Sequence, residues 1–213
     1  MATSSRRSTY HHGDLANALT DAATELAREG GPEAVVLREA ARRVGVSATA
    51  AYRHFANHSD LFHAVKARAQ DQLADYMEED VAAAADPVER LRAIGSAYLR
   101  FALAEPGLYR TAFSRADQNS THHAEMFRSY RMLQTVLDEI MAAGLLDPAR
   151  RAHSETAVWS AVHGLALLLL DGPLGAMPPD VRQQAIDRTL EVSLDGICPT
   201  RPRPDGRPGP GST

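Results

Sequence analysis

Leu37-Arg38-Glu39-Ala40-Ala41-Arg42-Arg43-Val44-Gly45-Val46-Ser47-Ala48-Thr49-Ala50-Ala51-Tyr52-Arg53-His54-Phe55 is the stretch whose reading decides the architecture of this chain. Leu37, Ala40, Ala41 and Val44 recur at helical spacing, Gly45 can take the positive φ that ends such a helix, and Ser47 can cap a second helix two residues later. The pattern is a helix, a tight turn and a helix. A bend this short lets the second helix stand off the first and enter a major groove while the first lies across the phosphate backbone. Phe55 closes the second helix against the core.

Outward from that stretch, apolar periodicity continues as helices on both sides, with no alternating strand pattern and no repeat. Upstream, Leu15, Ala18, Leu19, Ala22, Ala23 and Leu26 share a face of a helix that starts near Asp14 and stops at Gly30-Gly31-Pro32. Downstream, Asn57-His58-Ser59-Asp60 supplies caps for a long fourth helix ending near Val81. Asp86-Pro87 breaks the chain before a fifth helix from Val88 to Ala104, and a short piece covers Leu108 to Phe113. A polar loop at Arg115 to Thr121 precedes a seventh helix from His122 to Ala143. An eighth is expected from Pro148 to Leu170 and a ninth from Asp180 to about Gly196. The second half of the eighth is apolar on nearly every side, so it is buried on more than one face.

The 213 residues suit a short head on a larger body, and 44% hydrophobic content is enough for a packed core. The net charge of −4 is unevenly spread: residues 1–68 hold nine Arg/Lys against seven Asp/Glu, or +2, and the remainder fourteen against twenty, or −6. The helix-turn-helix lies at the basic end. That end also holds five of the nine histidines, so it gains positive charge as pH falls through about 6.5. A protein that packs nucleic acid without regard to sequence would carry a basic stripe over most of its length, and here the larger part is acidic. Cys198 stands alone, which excludes an internal disulfide and a cysteine-rich zinc site. The start of the chain does not read as a signal peptide, and the apolar run Leu165 to Leu170 is far shorter than the ~20 residues of a membrane span. A reducing, cytoplasmic setting is expected. No His-x-x-x-His, Gly-x-Ser-x-Gly or phosphate-loop pattern supports an enzyme.

Val46-Ser47, Tyr52-Arg53-His54-Phe55 and Leu61, with the lead-in Tyr10-His11-His12-Gly13-Asp14-Leu15 and Leu37-Arg38-Glu39, resemble the DNA-binding domain of the TetR family of bacterial regulators. Trp159-Ser160-Ala161-Val162-His163-Gly164 is similar to the Trp-His-Gly signature of one subgroup's C-terminal domain. The resemblance implies an all-α protein: an N-terminal three-helix DNA-binding domain and a C-terminal helical bundle that dimerises through its last two long helices and binds a small-molecule effector. The corresponding divisions are a flexible arm at 1–9, the helix-turn-helix domain at 10–57, a connecting helix at 58–85, the ligand-binding and dimerisation domain at 86–198, and a disordered tail at 199–213. Repression is the family default, with activation or effector-independent regulation as alternatives. No cofactor or metal is expected.

For DNA, the candidates are Arg38, Ser47, Ala48, Thr49, Tyr52, Arg53, His54 and His58. The recognition helix has few side chains long enough to reach a base. Thr49 can touch a thymine methyl or make one hydrogen bond, Ala48 or Ala50 can pack on a methyl, and Arg38 suits guanine O6 and N7. A solvated ion pair is the competing reading of Arg38. Tyr52 and His54 resemble the family's phosphate contacts. Three positions depart from the family pattern: Val36 stands where a Ser or Thr usually caps the second helix, at a cost of about 1 kcal/mol; His58 stands where a lysine often does; and Ala40 replaces a larger aliphatic residue. For a ligand, Tyr98, Phe101, Phe113, Met126, Phe127, Tyr130, Trp159 and His163 form an aromatic and soft set, although aromatic residues at helical spacing are also plain core. For the dimer interface the candidates are Ala157, Ala161, Leu165, Leu168, Val181, Ile186 and Leu190, since the eighth helix carries too many apolar positions for one intramolecular face.

Overall fold

The computed structural model describes residues 12–114 and 127–199, without the side chains of 12–14. Every regular element among them is helical. The expected arm, the loop from Arg115, the start of the seventh helix, Met126 and nearly all of the tail lie outside the described residues. By their contacts the rest form two units, and the division falls within one helix, between Ala69 and Gln70.

The head is built on α1 (His12–Gly30), α2 (Leu37–Val44), α3 (Ala48–Ala51) and the first part of α4 (His58–Ala83). Leu19, Ala23, Leu26 and Ala27 of α1 are buried with Leu37, Ala40 and Ala41 of α2 and with Ala51 and Phe55. The helix-turn-helix forms as its residues require. Gly45 sits at φ 79°, ψ 28° and ends α2, the Val46 N–H returns to the Ala41 carbonyl at 3.0 Å, and Ser47 Oγ accepts the Ala50 N–H at 3.2 Å. Asn57 Oδ1 accepts the Asp60 N–H and so caps α4. The cap expected to be missing from α2 is missing: Val36, in extended backbone at φ −124°, accepts no bond through its side chain.

One segment joins the head that sequence order would leave with the body. Residues 107–114, most of them in α6 (Pro106–Ala112), group with residues up to Ala69. Gly107 makes this approach possible, since a Cβ there would lie 2.3 Å from the Ala27 carbonyl oxygen and 2.5 Å from that of Arg28. Leu108 and Tyr109 are fully buried, and Lys66 Nζ donates to the Ser114 carbonyl at 3.1 Å.

The body contains the rest of α4, α5 (Pro87–Ala104), α7 (Arg128–Ala142), α8 (Ser154–Leu170) and α9 (Pro179–Ile197). Asp86 caps α5 by accepting the Val88 and Glu89 N–H groups. Helix α5 touches α7, α8 and α9, so it is the centre of this unit. At Gly95 an added Cβ would come within 2.5 Å of Leu190 Cδ2, which is how closely α5 and α9 meet. Helix α8 begins six residues later than expected. Asp147 caps a single 3-10 turn at Pro148–Arg150, and His153 then turns left-handed at φ 61° before Ser154 starts the helix.

Two stability outcomes follow from these positions. Val36→Ser supplies the absent cap and should raise stability by about 1 kcal/mol in chemical denaturation. Gly107→Ala drives a methyl into two backbone carbonyls and should lower it by about 1–3 kcal/mol; unchanged stability would show that α6 does not approach α1 as described.

Candidate DNA-reading surface and aromatic cluster

The reading surface follows from how small buried residues seat α3. Ala51 is fully buried, so the opposite side of the helix faces outward: Thr49, Tyr52 and Arg53 are exposed, and Ala48, Ala50 and His54 are half-buried. Ser47 is exposed and uses its oxygen as the cap acceptor, which leaves its hydroxyl proton available to a phosphate. Its role is therefore partly local.

Arg38 is exposed on the first turn of α2, and among the described residues no carboxylate pairs with it. Glu39, next to it in the helix, points away from it and pairs with other arginines, as does Glu29. Glu39 holds Arg42 at 2.7 Å and Arg43 at 3.7 Å, and Glu29 on α1 holds Arg43 at 2.6 Å. The hydrogen bond from Arg42 holds the Glu39 carboxyl below its ordinary pKa, and that from Arg43 does the same for Glu29. These exposed pairs contribute little stability; they do leave the Arg38 guanidinium without a competing acid.

His58 is engaged differently from what its place at the start of α4 suggested. Its Nε2 lies 2.7 Å from the Val35 carbonyl oxygen, and its ring stacks on Phe62 at 5.9 Å. A carbonyl oxygen can only accept, so Nε2 is the donor of this bond and is not spare for a phosphate.

In the body, four of the expected ligand residues come together. Tyr98 Oη lies 2.7 Å from His163 Nδ1 and accepts the Trp159 indole N–H at 3.3 Å. Trp159 meets Tyr130 edge-on at 6.0 Å and His163 at 5.8 Å. Burial pushes the His163 pKa below its ordinary 6.5, so the ring is neutral and its Nδ1 accepts the phenolic proton. The other candidates fall elsewhere. Phe101 is fully buried against Tyr76, edge-on at 5.3 Å; Phe113 belongs to the head and packs on Tyr109 at 5.0 Å; Phe127 is half-buried at the start of α7.

The expected dimer set also divides. Ala157, Leu168 and Val181 are exposed and Ala161 half-buried, whereas Leu165, Ile186 and Leu190 are 8%, 7% and 6% exposed. The last three belong to the core of the single chain and present no face to a second one in this fold. Sequence periodicity cannot separate the two groups on a helix that is apolar nearly all round.

The family model for bacterial regulatory proteins of the tetR family matches residues 19–65, and that for the tetracyclin repressor-like C-terminal domain matches residues 91–192. The chain belongs to the TetR family. Among solved structures, a protein of unknown function from Rhodococcus sp. RHA1 shares 25% identity at a TM-score of 0.75, covering 90% of this chain and 100% of that one. A putative tetR family transcription regulator from Shewanella sp. PV-4 is 16% identical, with a TM-score of 0.64 and coverage of 85% and 97%. FadR from Bacillus subtilis, solved with stearoyl-CoA, shares the fold at 17% identity, a TM-score of 0.64 and coverage of 85% and 98%. No curated protein matches.

This TetR-family chain is thus an all-α DNA-binding transcription regulator. Three of its contacts were not foreseen from sequence: the His58 bond to Val35, the Tyr98 hydroxyl as a hub, and the engagement of Glu39 that leaves Arg38 free of it. The last had a signal, because Glu39 stands three and four residues before Arg42 and Arg43. The first two are tertiary, at separations of 23 and 65 residues.

The buried imidazole has a pH consequence for this TetR-family protein. The unfolded chain protonates His163 near 6.5 while the fold keeps it neutral to lower pH, so unfolding takes up a proton and stability falls as pH drops through 6.5 toward the folded value. Denaturant titrations at pH 7.5 and 5.5 should show a smaller acid loss for His163→Asn than for the parent. An equal loss would mean that His163 is not held neutral by burial.

Proposed function

We propose that this chain is a repressor that binds a pseudo-palindromic operator as a homodimer and is released when a small molecule binds its helical body. Cytoplasmic action is part of the proposal; no described helix is long and apolar enough to cross a membrane. The observation that carries the reading is the outward face made by Arg38, Thr49, Tyr52 and Arg53 on a helix-turn-helix of standard local construction. An arginine without a competing carboxylate is suited to guanine, Thr49 to a thymine methyl, and Tyr52, Arg53 and His54 to phosphates.

Two heads are needed because each offers so few base-reading side chains; pairing them on two half-sites multiplies affinity and requires two-fold symmetry in the DNA. The exposed residues of α8 and α9 are the proposed interface. The Tyr98, Tyr130, Trp159 and His163 cluster is the proposed effector region, since it combines aromatic surface with an imidazole and a phenol whose hydrogen bonds a ligand can exchange. FadR in complex with stearoyl-CoA is a precedent for a small molecule bound on this fold. Linkage then sets the mechanism: a compound that prefers the DNA-incompetent form weakens operator binding by its own coupling energy, typically about 1–3 kcal/mol.

Salt titrations on a selected palindrome and on random duplex separate the contacts. Arg38→Ala should cost about 1–3 kcal/mol on the palindrome and little on random DNA. Tyr52→Ala should weaken both. Equal losses from Arg38→Ala on every sequence would remove it from base reading.

A further inference from the structure

Val36 has entered so far only as a missing cap. It and Tyr52, 44% and 46% exposed, are the large apolar side chains that the head turns to solvent among the described residues; the others so exposed lie on α8 and α9. Tyr52 follows α3 directly and has a hydroxyl for a phosphate. Val36 presents methyl groups alone.

Burial alternates over four residues here: Val35 is 0% and Leu37 4% exposed, whereas Val36 and Arg38 are both exposed. Val36 lies in extended backbone, at φ −124° and ψ 120°, where successive side chains take opposite sides. Val35 and Leu37 are thus turned into the head, and Val36 stands outward with Arg38. The backbone beneath it is held from both directions. The Val36 carbonyl accepts the Glu39 and Ala40 N–H groups at 3.0 Å each, and His58 Nε2 donates to the Val35 carbonyl at 2.7 Å. A valine fixed in this place neither fills the core nor caps α2, although a serine would cap it.

Resting on the DNA reading above, we propose that Val36 is a further base-reading residue, its methyl groups packing on the C5-methyl of a thymine close to the guanine that Arg38 takes. A branched aliphatic group neither donates nor accepts a hydrogen bond, so it offers a phosphate oxygen nothing. In the major groove the apolar group that a base pair presents is the thymine methyl. Two residues of extended chain span at most about 7 Å, and successive bases lie about 3.4 Å apart. The Val36 and Arg38 side chains therefore leave the backbone within about two base steps of each other. The uncapped end of α2 and the apolar contact then have one origin.

Deoxyuracil pairs as thymine does but lacks the C5-methyl, so it isolates the contact. The full chain is titrated against its selected operator with each thymine of one half-site replaced by deoxyuracil in turn. One replacement, within about two base pairs of the guanine whose preference Arg38→Ala removes, should weaken binding about fourfold, the worth of a methyl-sized apolar group at about 0.8 kcal/mol. In Val36→Ser and in Val36→Ala that penalty should vanish. The first variant caps α2 and the second does not, so a loss common to both follows the branched side chain and not the helix end. Thr49→Ala should leave this penalty in place, which separates Val36 from the other candidate for a thymine methyl. A half-site in which no thymine responds, a penalty undiminished in the Val36 variants, or one that Thr49→Ala removes instead, overturns the contact and leaves the DNA reading standing. If no duplex is bound better than random DNA, both fall.

Discussion

The head depends on the chain reversing between α2 and α3 at Gly45-Val46. Gly45 takes φ 79°, where a residue with a Cβ costs about 1–2 kcal/mol, and the Val46 N–H closes the end of α2 on Ala41. Ser47 opens α3 immediately afterwards. Because the turn is fixed by local chemistry, α3 is held with Ala51 inward and Thr49, Tyr52 and Arg53 outward. A longer or looser connection would leave the direction of a four-residue helix undetermined, and a helix this short has almost no stability of its own.

Such local determinants explain what the sequence made legible. Helices α4, α5 and α9 end within two residues of their expected limits because Asn57, Asp86-Pro87 and Pro178-Pro179 are strong boundary signals read from adjacent residues. The start of α8 differs from the sequence expectation for the same kind of reason in reverse: Asp147-Pro148 does begin a turn, but it caps a 3-10 segment, and nothing in the sequence marks His153 as left-handed. Helix α6 joining the head was beyond sequence reading altogether. Its place is set by Gly107 meeting carbonyls some 80 residues earlier, a contact between residues far apart in order.

The body shows how one apolar sequence serves more than one purpose. Leu190 has the sequence pattern of an interface residue, and in the fold it fills the space that Gly95 leaves on α5. Leu165 and Ile186 are likewise internal, while Leu168 and Val181 remain outside. The aromatic candidates divide in the same manner: a chain of hydrogen bonds through the Tyr98 hydroxyl unites Trp159 with His163, and Phe101 is ordinary core. Composition marks such residues as apolar or aromatic; the packing of α5 among its neighbours decides which of them face inward.

On the proposed function, a symmetric pair of these sparse heads reads a double helix through Arg38 and Thr49. Selection of bound sequences from a random duplex pool by the full chain tests it most directly. Such a pair should enrich two inverted half-sites whose centres lie about one helical turn, or a multiple of it, apart, with recurring guanine and thymine positions in each. Enrichment of a single asymmetric site, or no enrichment over random duplex, would contradict it.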